Sequence, residues 1–474
     1  MSDSSGDANI ADSDKNDADS DSSSDNIVCT KLTVAENILA YIQKRELDRV
    51  VEDIKCDSSL LESVMANYVI AKKIISNLSW QEKFLCKHVC SMWHSAVVAL
   101  QKEQLEPADF VVNDLPVTVS KINSVFKKST NFYTEPLAVL TFANMLGFSA
   151  TNDCGSITPN PCSPACQNVH CLLDVVQHNV CMPKVCMLTV KATYLTFMPL
   201  SPSITYEHVF TQQMIVQNNP FISGIYIPTI PDVEFNVINI KSVANMQNDF
   251  FDVVHKIAQD RIFKGVVVYV TESFLLESVE DIVFLNYFKD VQPNVPYALG
   301  GCIVEDTMFE KDNIDLIVEN INKGVDFVSE NLVTIAMFTV PHNSNVCNFD
   351  VYSLIVESSD WTKAKIRKTI DEFAKKVPRF EHSVALKLSC VGRDQRHEVE
   401  QEYFRAAFPR TRLIGCYGNG ELGVNHPAKP PLENMPSGVK RHRRDPGPQF
   451  GIMYSYSTVF VYMGWGKKFP PESI

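Results

Sequence analysis

The chain has 474 residues, 45% of them hydrophobic, enough for two or three cores of ordinary domain size. Its formal charge of -13 is uneven, because residues 1–26 hold eight aspartates against one lysine and leave the body only mildly acidic. That balance argues against nucleic-acid binding, and no run of 18 apolar residues exists to span a membrane. Fourteen cysteines behind an acidic, polar N-terminus point to a reducing compartment and free thiols rather than a disulfide framework.

Residues 1–30 are Ser, Asp, Asn and Ala with almost nothing apolar, which predicts a disordered acidic tail, solubilising or phosphorylated. A helical pattern follows from Thr33 to Lys55, carried by Val34, Ile38, Leu39, Ile42, Leu47, Val50, Val51 and Ile54. From Tyr68 to Val98 the sequence predicts a helical hairpin. Ile70, Ile74 and Leu78 recur at helical spacing, with Ile75 widening the stripe. Ser79-Trp80-Gln81-Glu82 is a capping-box sequence that opens a second helix, with Leu85, Val89, Met92, Trp93 and Ala96 on one face. Two short helices cannot bury both apolar faces on each other, so the pair needs a third partner.

Beyond Gln101 strands and helices alternate. Strand patterns cover Val185–Phe197, Ile222–Ile227, Phe235–Ile240, Gly265–Val270, Tyr297–Val304, Leu332–Val340, Val351–Val356, Val384–Cys390, Arg412–Tyr417 and Ile452–Tyr462. Helical patterns lie at Asp249–Arg261, Val279–Phe288, Thr362–Lys376 and Glu398–Phe408. The alternation predicts α/β layers on mixed sheets, and Val266–Val270, without polar alternation, predicts a strand covered on both faces. No short-period repeat is visible. Asn152–Val169 and Asn425–Pro448 read as loops.

Four features bear on chemistry. Cys390-Val391-Gly392-Arg393 ends a strand, where side chains line crevices in α/β layers. The arginine would lower the thiol pKa if it lay beside the sulfur, and a buried core cysteine is the other reading. Gly418-Asn419-Gly420-Glu421 is a tight turn that borders a pocket or is a turn alone; it lacks the Lys-Ser/Thr of a phosphate loop. Cys154, Cys162, Cys166, Cys171, Cys181 and Cys186 cluster with His170 and His178, as a zinc site or an unliganded segment. Lys440–Arg444 is the one strong basic run, an import signal, a patch for an acidic partner or a solvated loop. No catalytic motif emerges, and Cys390 has no His/Asp partner at a recognisable spacing. No cofactor or metal is expected.

Two stretches carry family resemblance. Val89-Cys90-Ser91-Met92-Trp93, after an Ile/Leu helix and a Leu-Ser turn, resembles the F-box. The segments Ser389–Arg393, Glu402–Pro409 and Gly415–Gly423, with Tyr297–Cys302 upstream and Tyr456–Phe460 downstream, resemble a FIST domain, strongest in its C-terminal part. The joint order is similar to the family of F-box proteins bearing a FIST region. This implies an α+β multidomain chain, a small all-α F-box region followed by a large α/β FIST region with mixed sheets. The expected divisions are 1–30, a helical region 31–105 with the F-box at about 63–100, and FIST parts 106–260 and 261–466. The resemblance further implies a non-catalytic substrate receptor of a Skp1–cullin–F-box ubiquitin ligase, serving proteasomal degradation in cytoplasm and nucleus. Ile70, Ile74, Leu78, Leu85, Val89 and Trp93 match apolar F-box positions, some facing Skp1 and others the domain's own core. Cullin-1 and the RING subunit would join through Skp1. Protein substrates, not nucleic acid or membrane, would meet the FIST region, whose candidate pocket is Cys390, Gly392, Arg393, Gly418, Asn419, Gly420 and Glu421. The alternative is a FIST signalling protein that senses small molecules.

Overall fold

The unbroken apolar run Val266–Val270 lies within a strand, Arg261–Thr271, that is buried on both faces as its composition requires. Val266, Val268 and Val270 meet helices on one side, whereas Val267 and Tyr269 point into a core shared with two other sheets. The same division recurs in each of the three large sheets. The computed structural model describes residues 59, 62–63, 66–118, 121–153, 169–181, 184–198, 220–277, 279–309, 329–342, 348–357, 361–393, 397–428 and 451–469. The acidic tail 1–30, the expected helix over 33–55, Cys154, Cys162, Cys166 and the basic run 440–444 lie outside the described residues.

In chain order the helical part comprises α1 (Tyr68–Ile75), α2 (Trp80–Cys86) and α3 (Ser91–Glu103). A first unit follows: β1 (Ala108–Thr118), β2 (Lys121–Lys128), β3 (Pro136–Ala143), α4 (Met145–Ser149), β4 (Thr151–Asp153), β5 (Val169–Cys171), α5 (Leu172–Val180), β6 (Met187–Lys191), β7 (Tyr194–Met198) and β8 (Phe221–Pro228). The second has β9 (Glu234–Ile240), α6 (Asp252–Asp260), β10 (Arg261–Thr271), α7 (Glu272–Glu277), α8 (Tyr287–Val291), β11 (Ala298–Val304), β12 (Asp306–Met308) and β13 (Val333–Pro341). The third has β14 (Phe349–Val356), α9 (Lys363–Lys376), β15 (Arg379–Cys390), α10 (His397–Ala407), β16 (Arg412–Gly418), β17 (Glu421–Val424), β18 (Met453–Tyr454) and β19 (Thr458–Phe469).

The three units share one topology. Their sheets run β6-β3-β8-β1, β11-β10-β13-β9 and β16-β15-β19-β14, each with a single parallel pair joined by a helical crossover. In each unit the strand that opens that crossover carries a bulge near its start, where Leu137, Lys264 or Glu381 drops out of register with the antiparallel neighbour. The units are also interlocked. The strand that follows each parallel pair leaves its own sheet: β7 joins the third unit on β16, β12 the first on β6, and β17 the second on β11. This cyclic exchange makes the body α+β with mixed sheets. Each sheet turns one face to the common core and the other to its own helices.

Several expectations change. The apolar run Val185–Phe197 is two strands in different sheets, parted at Ala192 and Thr193, because both halves are buried and composition cannot mark the break. The Gly300-Gly301 pair lies inside strand β11, within the expected strand pattern Tyr297–Val304. A β-carbon on Gly300 would stand 2.3 Å from Val461 Cγ2, so glycine lets two sheets approach. The division expected at 260/261 falls between α6 and β10, inside the second unit. No helix among the described residues is long and apolar enough to cross a membrane.

Candidate functional site

The helical part is built as its capping residues dictate. Asn67 Oδ1 accepts from the backbone N–H groups of Val69 and Ile70 at 3.0 and 3.3 Å and starts α1. Ser79 and Glu82 form the reciprocal capping box of α2, with Ser79 N donating to Glu82 Oε2 at 2.7 Å and Glu82 N to Ser79 Oγ at 3.4 Å. The expected long second helix divides after Cys86, and Cys90 starts α3 without a side-chain cap.

The buried face of α1 is Ala71 and Ile75, one position on from the expected Ile70–Ile74 stripe. Ala71 is small enough for close approach and Ile75 fills a minor core with Cys86, Ala96, Val97 and Leu100, against which Leu78 and Trp93 pack half-buried. Leu85 is also half-buried. Ile70, Ile74 and Val89 are exposed, as are Tyr68, Val69 and Phe84. The six F-box-like positions therefore divide between an outer apolar face and an inner packing set. Trp80, absent from that set, joins the first sheet's outer core and accounts for how α2 is held to the body.

The other constellation lies where β15 and β16 end and β17 and β19 begin. Val391 N donates to Gly418 O at 3.0 Å and Cys390 N to Ser457 O at 3.0 Å, which brings the two sequence-predicted segments together. Arg393 is fully buried and points to Glu400, not to the thiol, with Nη2 and Nε at 2.6 and 2.7 Å from Glu400 Oε1. Glu400 Oε2 accepts from Thr458 Oγ1 at 2.7 Å, and Thr458 in turn bonds Ser389 Oγ at 2.6 Å. Glu421 is buried as well; its Oε2 accepts from Ser457 N at 3.1 Å and Ser457 Oγ at 2.8 Å, while Oε1 has no hydrogen-bond partner. Burial raises its carboxyl to about 8.

This arrangement corrects the reactive-thiol reading of Cys390. Burial, with the Glu421 carboxyl second, pushes that thiol up to about 11, so at neutral pH it is a thiol and not a nucleophilic thiolate. The turn is committed too. Asn419 N donates to Ile303 O at 3.1 Å and its side chain bonds Glu272, so this amide is not turned toward an anion. Gly420 has φ +147°, and a β-carbon on Gly418 would lie 2.2 Å from Ile303 O. Gly392 lies under the ring of Tyr456, an exposed residue at φ 56°. The seven residues thus form a closed network that ties strand ends and α10 together, and a neutral Glu421 carboxyl supplies hydrogen bonding rather than a base.

Glu400, Ser457 and Thr458 complete this network without a sequence signal of their own. Lys387 is different. It is a lone charge in the apolar run Leu386–Leu388 and is fully buried, with Nζ 3.3 Å from Tyr417 Oη and burial lowering it to about 7. Cys171, Cys181 and Cys186 pack in the first unit's outer core, and no three metal-ligating side chains converge among the described residues.

No family model and no curated protein matches the chain. Chains of solved structures do, among them the following two. Cyanuric acid hydrolase from A. caulinodans is 8% identical, with 70% of this chain and 92% of that chain covered and a TM-score of 0.27. A second, titled "Cyanuric acid hydrolase: evolutionary innovation by structural concatenation", is 9% identical over 70% and 91%, also at 0.27. Both neighbours are enzymes, against the expectation of a non-catalytic chain, which is not retained. At this TM-score the likeness carries no argument for any reaction.

Proposed function

We propose that the chain is a substrate receptor of a Skp1–cullin–F-box ubiquitin ligase, with α1–α3 as the F-box and the three-unit body as the FIST region. One observation carries the reading. Tyr68, Val69, Ile70, Ile74, Phe84 and Val89 leave large apolar side chains in solvent, from 39% exposed at Ile70 to 73% at Val69, on a helical hairpin anchored to the body. Exposed apolar clusters of this kind mark interaction sites, and helical anchors of alternating register suit a helix-lined groove on a partner. Skp1 is the proposed occupant, with cullin-1 and the RING subunit joined through it. The body then selects the target and holds its lysine near a charged conjugating enzyme, which converts a bimolecular encounter into a local one. Affinity purification of the full chain from cells with the proteasome and neddylation blocked tests this. Skp1 should co-purify in near-stoichiometric amount together with ubiquitinated proteins, and absence of Skp1 would remove the reading.

A further inference from the structure

The four-strand order of each unit ends on the unit's first strand, β1, β9 or β14, and the three edges are treated differently. Beyond β1 lies β2, paired antiparallel from Phe110 to Thr118. Beyond β14, Ser353 N donates to His426 O at 3.0 Å and His426 N to Ser353 O at 2.9 Å. Beyond β9 no strand follows among the described residues, where β13 is its one sheet neighbour. An edge strand presents backbone N–H and C=O groups without sheet partners, a template for another extended chain. This edge opens on a cleft. Val237, Ile238 and Asn239 run consecutively along one wall, and Asn245, Asn248 and Val253 stand on the other. Val237 packs toward the common core and Ile238 toward the unit's own helices, so the cleft follows the edge of β9 and not one of its faces. A second observation concerns the far wall, where a 3₁₀ turn, Val243–Asn245, and a π turn, Gln247–Phe251, precede α6. π turns are rare and recur at functional sites. This one is anchored from behind: Phe250 is fully buried and meets the rings of Phe284 and Phe288 edge-on at 4.8 and 5.5 Å. The wall is therefore fixed before anything enters the cleft.

We propose that this cleft takes an extended peptide segment of a partner protein, which adds to β9 as a further strand and sets uncharged polar side chains against Asn245 and Asn248. The two covered edges show what fits such a strand, a paired strand on β1 and a backbone bridge on β14. Lys241 and Asp249, one cation and one anion, also line the cleft, and the exposed carboxamides of Asn245 and Asn248 both donate and accept. A basic segment meets like charge at Lys241 and an acidic one at Asp249, so the lining selects a neutral polar one. The surface belongs to the body and shares no residue with the exposed apolar set of the helical hairpin. It rests on the receptor reading only for the identity of the partner, which is then the protein to be ubiquitinated.

The test uses the full chain, against which a phage-displayed library of random octapeptides is selected and the enriched peptides are synthesised. These peptides should slow amide hydrogen exchange within Glu234–Ile240 at least tenfold. Methylating alternate peptide nitrogens should cost at least tenfold in affinity in one register and little in the other, because only every second N–H of a strand faces its neighbour. Asn245→Arg with Asn248→Arg, both at exposed positions, charges the wall and should lower affinity at least tenfold, while the unfolding temperature and Skp1 binding stay as in the native chain. A selection that enriches no peptide, enriched peptides that leave exchange in β9 unchanged, methylation tolerated equally in both registers, or binding that the arginine variant retains overturns the proposal. So do β9 amides that are protected throughout before any peptide is added. Native chain that takes the peptides in β9 yet fails to bind Skp1 removes the receptor reading and supports the cleft.

Discussion

Arg393 and Glu400 hold each other at 2.6 and 2.7 Å inside the protein, and neither side chain touches solvent. Arg393 also donates to Tyr456 O and Glu400 accepts from Thr458, so the pair joins the loop after β15, α10 and the start of β19. Removing one partner strands a charge in a dry site. Glu400→Leu alone should cost about 3–5 kcal/mol in denaturant unfolding, whereas Arg393→Met with Glu400→Leu should recover most of that loss. Equal losses in single and double variants would contradict this.

Glu421 gives stability a pH dependence of known sign. Its folded-state value is raised from 4.5 to about 8 by burial, so the protonated form is the one that the fold favours. The contribution is fully present below about pH 4.5 and is lost as pH rises through about 8. The unfolding midpoint of the native chain, measured relative to Glu421→Gln, should therefore fall between pH 5 and pH 8. A difference that does not change over that window would contradict the assignment.

Lys387 has the opposite sign. Burial lowers it from 10.5 to about 7, so the neutral amine suits the fold and its contribution is present above pH 10.5 and lost as pH falls toward 7. Lys387→Met should stabilise the chain more at pH 7 than at pH 10. A gain that is the same at both values would show that the ammonium is solvated in the fold.

The glycines of β11 and β16 rank themselves by what surrounds them. A β-carbon at Gly418 meets backbone, Ile303 O at 2.2 Å, whereas one at Gly300 meets a methyl of Val461 at 2.3 Å that a rotamer change can move. Overpacking costs about 1–3 kcal/mol, and Gly418→Ala should lie at the upper end with Gly300→Ala below it. Chemical denaturation of the two variants checks the order.

Cys390 and Cys90 provide a comparison of thiols within one chain. Cys90 is exposed; Cys390 is buried with its thiol pushed up to about 11. Iodoacetamide labelling followed by mass spectrometry should modify Cys90 at least tenfold faster at pH 7.5. Equal rates would restore the reactive-thiol reading.

Local signals were the legible ones. Ser79 and Glu82 announce the cap they form, Thr362 caps α9 where the pattern places it, and the run Val266–Val270 is doubly covered as composition requires. What the sequence hides is pairing. β1, β2 and β3 carry no expected strand: Pro136–Ala143 is wholly buried and apolar but for Thr141, so no polar alternation marks it. The three units repeat in topology and bulge position but not in residues: the four residues after the bulge are Ala-Val-Leu-Thr, Gly-Val-Val-Val and His-Ser-Val-Ala in the strands that open the crossovers. Nor does Val185–Phe197 reveal that β6 and β7 serve different sheets. On α1 the spacing was right but the face was off by one position, since Ala71 packs more closely than Ile70 would. The candidate site was legible as two strand ends. That Arg393 pairs with Glu400 rather than with the thiol of Cys390 depends on where α10 returns, which no local pattern fixes.

The most direct measurement is binding of purified full-length chain to purified Skp1, native against Ile74→Asp with Val89→Asp. Both positions are exposed, so the paired change leaves the five-residue core of the helical part intact. The proposed receptor binds Skp1, and the variant loses at least a hundredfold in affinity while its unfolding temperature stays unchanged. Native chain that fails to bind Skp1, or a folded variant that binds it equally well, would contradict the proposal.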